Sequence, residues 1–249
     1  VYWNDQLLWR SRSLQEPFSR GWNTPRWWPV AITDTQQVQT LWVRVLSHSP
    51  SRHGIGHVDL GPQHAIEALH EHRYARQRTG YVISAALGTG IACIALVVWL
   101  FRRQEKSYFW LGSMQVMWVV YLCTILSQET WPFFTTGAMS LVSISCLLIY
   151  AHTFLIFTLR FGGQRKPRVE CVTWSALALW ISLMTLGVVD TSYQGVVSLM
   201  WCGTLFAATG LYFQWRAWHT RSPQHVMLAV CWLAVIVIGY LLARSIATP

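Results

Sequence analysis

Apolar positions along this chain fall into two regimes. Up to about residue 62 they come in short runs that alternate with polar ones, whereas from Tyr81 they continue unbroken for the length of a helix. Tyr81 to Phe101 carries no charge, and at about 1.5 Å rise per residue it spans a hydrocarbon core roughly 30 Å thick. Five further apolar runs follow at about 108–126, 133–159, 171–189, 193–213 and 224–243. The pattern therefore predicts six membrane spans, the third long enough to require tilt or an extension past the membrane.

The first regime predicts β structure. Val1 to Trp3 and Leu7 to Trp9 flank Asn4-Asp5, two residues that tolerate φ > 0 and suit a tight hairpin turn. Arg26 to Ile32 forms a weaker strand, which Pro25 and Pro29 confine to an edge. Leu41 to Leu46 alternates in the manner of a half-buried strand. A turn at Gly54-Ile55-Gly56, a short strand at Val58 to Leu60 and Gly61-Pro62 close the domain. From Gln63 the period becomes helical, so 63–80 is expected to be a juxtamembrane helix with Gly80 as a joint to the membrane domain, 81–249.

Composition supports the membrane reading. The chain is 53% hydrophobic and only 12% charged, against roughly 25% charged in a soluble domain. Its net charge of +9 does not form the single stripe that nucleic acid would require. Instead, Arg102, Arg103 and Lys106 follow span one, Arg160, Arg165, Lys166 and Arg168 follow span three, and Arg216 and Arg221 follow span five. The alternate loops carry Glu129 and Asp190 and no Lys or Arg. By the positive-inside rule the basic loops face the cytoplasm and the β domain lies outside, although Arg73, Arg76 and Arg78 oppose this at the first span. All six cysteines lie in or beside apolar runs, which excludes a disulfide framework. The chain opens at Val1 on a strand-like VYWN without a signal peptide. Its natural N-terminus is thus expected upstream, and a seventh span is expected beyond Pro249 to bring the tail inside.

The order of these features resembles a family, the bacterial seven-transmembrane receptors with diverse intracellular signalling modules. VYWNDQLLW resembles that family's hairpin, EPFSRGWNTPRWWPV its Asn-x-Pro-Arg segment, LWVRV its late strand, and GIGHVDLGP its closing Gly-Pro exit. FRRQEKSYFWLGSMQ resembles the basic link between its first two helices. The resemblance implies an α-helical polytopic membrane bundle carrying a partial all-β, jelly-roll-like extracytoplasmic domain over 1–62, in the bacterial inner membrane. It also implies that this chain, with no catalytic residues of its own, is the input region of a sensor histidine kinase. A diguanylate cyclase input and a transporter or permease with an extracytoplasmic domain stand as alternatives.

Candidate sites are few. Trp22, Asn23, Arg26, Trp27 and Trp28 combine aromatic faces with fixed donors, which suits a carbohydrate or other small-molecule ligand. The same residues also suit a sheet core and rim. Ser84, Gly88 and Ala92 form a small-residue face at i, i+4 and i+8, where a bundle neighbour or a homodimer partner approaches closely and carries the signal. Gly203 and Ala207 offer a second such face. Gln115 and His152 are polar groups deep in apolar runs, each suited to a functional role or to a bond between helices. No Asp, Glu, Lys or Arg lies centrally in a span, which is unlike an ion-coupled transporter. The histidines His53, His57, His64, His70 and His72 lack the spacing of a metal site and are read as solvated. Membrane lipid is the partner these features imply. No cofactor, metal or nucleic acid is expected.

Overall fold

The computed structural model describes residues 1–31, 38–46, 57–130 and 135–247. The chain divides into two units, one of Val1–Thr89 with Trp118–Ser145 and one of Gly90–Met117 with Cys146 onward.

The first unit opens on a three-stranded antiparallel sheet in the order β2-β1-β3, with β1 Tyr2–Trp3, β2 Gln6–Leu7 and β3 Leu41–Trp42. Asn4 and Asp5 both take positive φ, 44° and 68°, closing the two-residue hairpin that pairs Tyr2 with Leu7 and Trp3 with Gln6. Asn4 also fastens β3, its side-chain oxygen accepting from the Thr40 N–H at 2.9 Å. The remaining expected strands are absent from the described residues. Residues 26–31, 43–46 and 57–60 have no ladder partner, so the described residues show a small three-stranded sheet and not the fuller set of strands expected. Alternation alone did not suffice, because a strand exists only where a second one lies in register beside it. The Gly54-Ile55-Gly56 turn and His53 lie outside the described residues.

A continuous helical stretch then runs from Gln63 to Phe101. It comprises α1 Gln63–Tyr74, a π-helical turn Ala75–Thr79 and α2 Gly80–Phe101. Gly80 itself is regularly helical at φ −58°, so the irregularity lies in the turn before it. The unit also contains the later part of α3 Lys106–Leu126 and the start of α4 Thr136–Phe161. Trp118 donates its indole N–H to Ser84 Oγ at 3.1 Å, and Thr124 donates to Ser143 Oγ at 2.9 Å.

In the second unit α4 leads into α5 Pro167–Thr185, α6 Thr191–Thr220 and α7 Pro223–Ala247. Its core joins Leu155 and Leu159 of α4 to Phe213 of α6 and to Leu228 and Trp232 of α7. Glycines set the closest approaches. A Cβ on Gly162 would come within 2.7 Å of the Phe213 ring, and one on Gly112 within 2.6 Å of Leu96. The helix boundaries depart from the apolar runs in two places. Pro167, pre-set for the first helical turn, starts α5 four residues early and brings Arg168 and Glu170 into the helix. α6 continues to Thr220, so Arg216 is helical as well.

Among the described residues four stretches, Gln63–Phe101, Lys106–Leu126, Thr136–Phe161 and Thr191–Thr220, are long and apolar enough to cross a membrane. α5 is outside this group because Arg168 and Glu170 occupy its first turns. The described side chains of α7 form a shorter apolar stretch, Pro223–Ala234.

Candidate functional site

An α-helix leaves its last four carbonyls without intrahelical partners and concentrates partial negative charge there. α3 ends at Leu126 with no glycine behind it and no basic residue in its last turn, so its sequence supplies no cap. The first unit supplies one from elsewhere. Cys123 O accepts from the Ser127 N–H at 3.0 Å. Thr124 O accepts from the Arg20 guanidinium at 3.0 Å, Ile125 O from the Asn23 amide at 3.0 Å and Leu126 O from the Arg78 guanidinium at 3.2 Å. All four carbonyls are thereby satisfied, three of them by side chains remote in sequence.

The surrounding contacts hold these donors in place. Arg20 also donates its backbone N–H to Gln128 O at 2.6 Å. Arg78, projecting from the π-helical turn, gives its second donor to Thr24 Oγ1 at 3.1 Å, and Gln128 donates to the same hydroxyl at 3.3 Å. Further along, the Phe18 N–H donates to Thr136 Oγ1 at 3.0 Å, at the start of α4. Two cations at a helix C-terminus are electrostatically favourable. Burial pushes Arg20 below its ordinary pKa, yet a guanidinium stays protonated.

The Trp-rich segment separates into distinct roles. Asn23 is 3% exposed and its amide caps α3. Arg26 stacks over Trp9 at 4.0 Å from the ring centroid, and Trp9 lies 6.1 Å from Trp28. Burial lowers the Arg26 pKa below its ordinary value too. Gly21 is required beside it, since a Cβ there would come 2.5 Å from the guanidinium. Trp27 faces His70, centroid to centroid 6.4 Å, and His70 in turn meets Tyr74 on α1. Trp22 alone of the five points to solvent, 67% exposed. The five residues therefore do not form one concave sugar platform.

Ser84 is half-buried against Trp118 and Gly88 is buried in the first unit. Ala92 is buried in the second, where Gly203 and Ala207 are exposed. Gln115 is half-buried in α3. His152 is fully buried, with Nδ1 2.8 Å from Leu148 O and its ring between Trp174 and Trp201 at 5.7 and 6.2 Å. Among the described residues no three metal-ligating side chains cluster.

Arg20, Thr24, Arg78 and Gln128 were not singled out from the sequence. The signal that could have found them is negative: a long helix whose end carries no cap of its own must be capped from another segment. Comparison with family models, curated proteins and solved structures returned no match.

Proposed function

We propose that this chain is the sensory and membrane-embedded input region of a bacterial signal-transduction receptor, with the N-terminal segment outside, six spans in the inner membrane and a histidine kinase as output. The capping of α3 by Arg20, Asn23 and Arg78 carries this reading. Such a joint makes the end of an apolar helix depend on the state of an extramembrane segment. A ligand that binds that segment differently in its capped and released forms would shift the equilibrium between them. The exposed Trp22 and the Arg26–Trp9 stack support a small polar or carbohydrate ligand. The basic ends of α4 and α6 support the orientation.

The test uses the full-length parent. Asn23→Asp removes the donor to Ile125 O, and the expected outcome is a changed basal kinase output together with faster amide exchange around 123–128. Faster exchange with unaltered output would overturn the sensory role. Reading the coding sequence downstream of Pro249 separates a kinase output from a cyclase. Uptake of a solute by proteoliposomes containing this chain would instead favour a permease.

A further inference from the structure

Among the described residues, the buried side-chain polar atoms without a hydrogen-bond partner are unevenly distributed. Arg160 Nε and Glu170 Oε1 belong to one ion pair, Gln164 Nε2 to the turn between them, and Arg216 Nε to α6, the helix whose Tyr212 bonds Gln164. α4 stops there in a Schellman turn, with Gly163 at φ +69°, the Gln164 N–H donating to Leu159 O at 2.8 Å and the Gly163 N–H to Arg160 O at 3.0 Å. The turn returns the chain to Pro167 and pairs Arg160 with Glu170 at 2.7 Å, side chains 19% and 16% exposed. The pair is incomplete, because each partner keeps a second buried atom unused. Tyr212 of α6 donates to Gln164 Oε1 and carries Lys166 over its ring at 3.9 Å. Arg216 stands one turn further on, on the same face of α6 as Tyr212.

Three unused donors and one unused acceptor thus sit among three cations and a single carboxylate. A phosphate group matches the donors, since its oxygens accept charge-assisted bonds from several guanidinium and amide groups at once. The spare Glu170 oxygen would repel a bare phosphate but accepts from a hydroxyl carried next to one. Basic pockets at the ends of membrane helices bind anionic headgroups in this way.

We propose that the α4–α5 turn and the adjoining face of α6 bind a hydroxyl-bearing phosphate ester, presented by an anionic lipid headgroup or free in solution. The site is independent of the receptor reading. The test takes the whole chain into phosphatidylcholine nanodiscs, with phosphatidylglycerol or with soluble glycerol 3-phosphate added. Its readouts are the thermal midpoint and the phosphate ester retained in native mass spectrometry. Wild type is expected to rise in midpoint with one of the two additions. A response to phosphatidylglycerol alone assigns the source to lipid, and one to glycerol 3-phosphate assigns it to a soluble ester. Arg216→Gln and Gln164→Ala are each expected to weaken retention about tenfold. Arg165→Gln, which removes an exposed charge from the same turn, should leave retention unchanged. Gln164→Ala alters no charge and keeps the test decisive if Arg216→Gln does not fold. No response of wild type to either addition, or an equal loss in Arg165→Gln and Gln164→Ala, would overturn the site.

Discussion

The C-terminus of α3 and those of α4 and α5 solve one physical problem in opposite ways. α4 and α5 are closed by their own following residues. Gly163 and Gly187 take φ +69° and +70°, and the next N–H reaches back to Leu159 O or Leu183 O. That closure needs nothing but the local chain. α3 has no such residue and borrows Arg20, Asn23 and Arg78. A helix end closed from within is always closed, whereas one closed by a distant segment opens whenever that segment leaves. Of these three helix ends, α3 is the one whose closure depends on a distant segment.

The largest expected effect is at Asn23. Asn23→Asp replaces the donor with a buried carboxylate facing a helix C-terminus, and a loss of about 3–5 kcal/mol in unfolding stability is expected. Chemical denaturation in detergent measures it, and a loss no greater than that of Asn23→Ala would show that the carbonyls find other donors. Next come the local caps. Gly163→Ala and Gly187→Ala should each cost about 1–2 kcal/mol from the left-handed backbone alone, since a Cβ at either site meets no atom within 4 Å. Gly163→Asn should recover part of that cost. If Gly163→Ala altered exchange around 123–128 as strongly as Asn23→Asp does, the contrast between borrowed and local caps would collapse.

Arg78→Ala should cost about 1 kcal/mol, near the net worth of one hydrogen bond, with Arg78→Lys intermediate because a lysine keeps the charge but not the fork. The increase in amide exchange should centre on Leu126 and on the π-helical turn. The smallest effect is expected at the start of α6. There the Ser192 N–H, at 2.8 Å, and the Ser192 hydroxyl hold the Asp190 carboxyl below its ordinary pKa. A depressed carboxyl stabilises above its unfolded value, about 3.9, and loses that contribution as pH falls through the folded value. The Tm gap between wild type and Asp190→Ala should therefore be constant above about pH 5 and close progressively in more acid solution.

Much of the helical architecture was legible because long apolar runs need no partner to be recognised. Each of α2 to α7 overlaps one run, although α5 covers Pro167–Thr185 against an expected 171–189, and α6 and α7 continue past their runs to Thr220 and Ala247. The Asn4-Asp5 hairpin was legible for a similar reason, since its turn chemistry is local. The strands expected at Arg26 to Ile32 and Val58 to Leu60 find no partner among the described residues, because pairing is a property of two segments and a local pattern describes only one. Asn23 was singled out for its donor chemistry, yet its amide bonds a carbonyl 102 positions away. The same holds for Arg78. As a charge before the first span it weighs against the basic loops, but its guanidinium is engaged by Thr24 and Leu126.

Sequence by itself determined that this is a chain of long apolar helices behind a Trp-rich segment, with a tight turn at Asn4-Asp5. These follow from hydrophobicity, turn chemistry and backbone sterics, which act within a few residues. Only the tertiary structure decided what closes α3 and which polar atoms near Arg160 and Glu170 are left unused. Both depend on which distant donors come within about 3 Å of a given acceptor, and no local pattern encodes that distance.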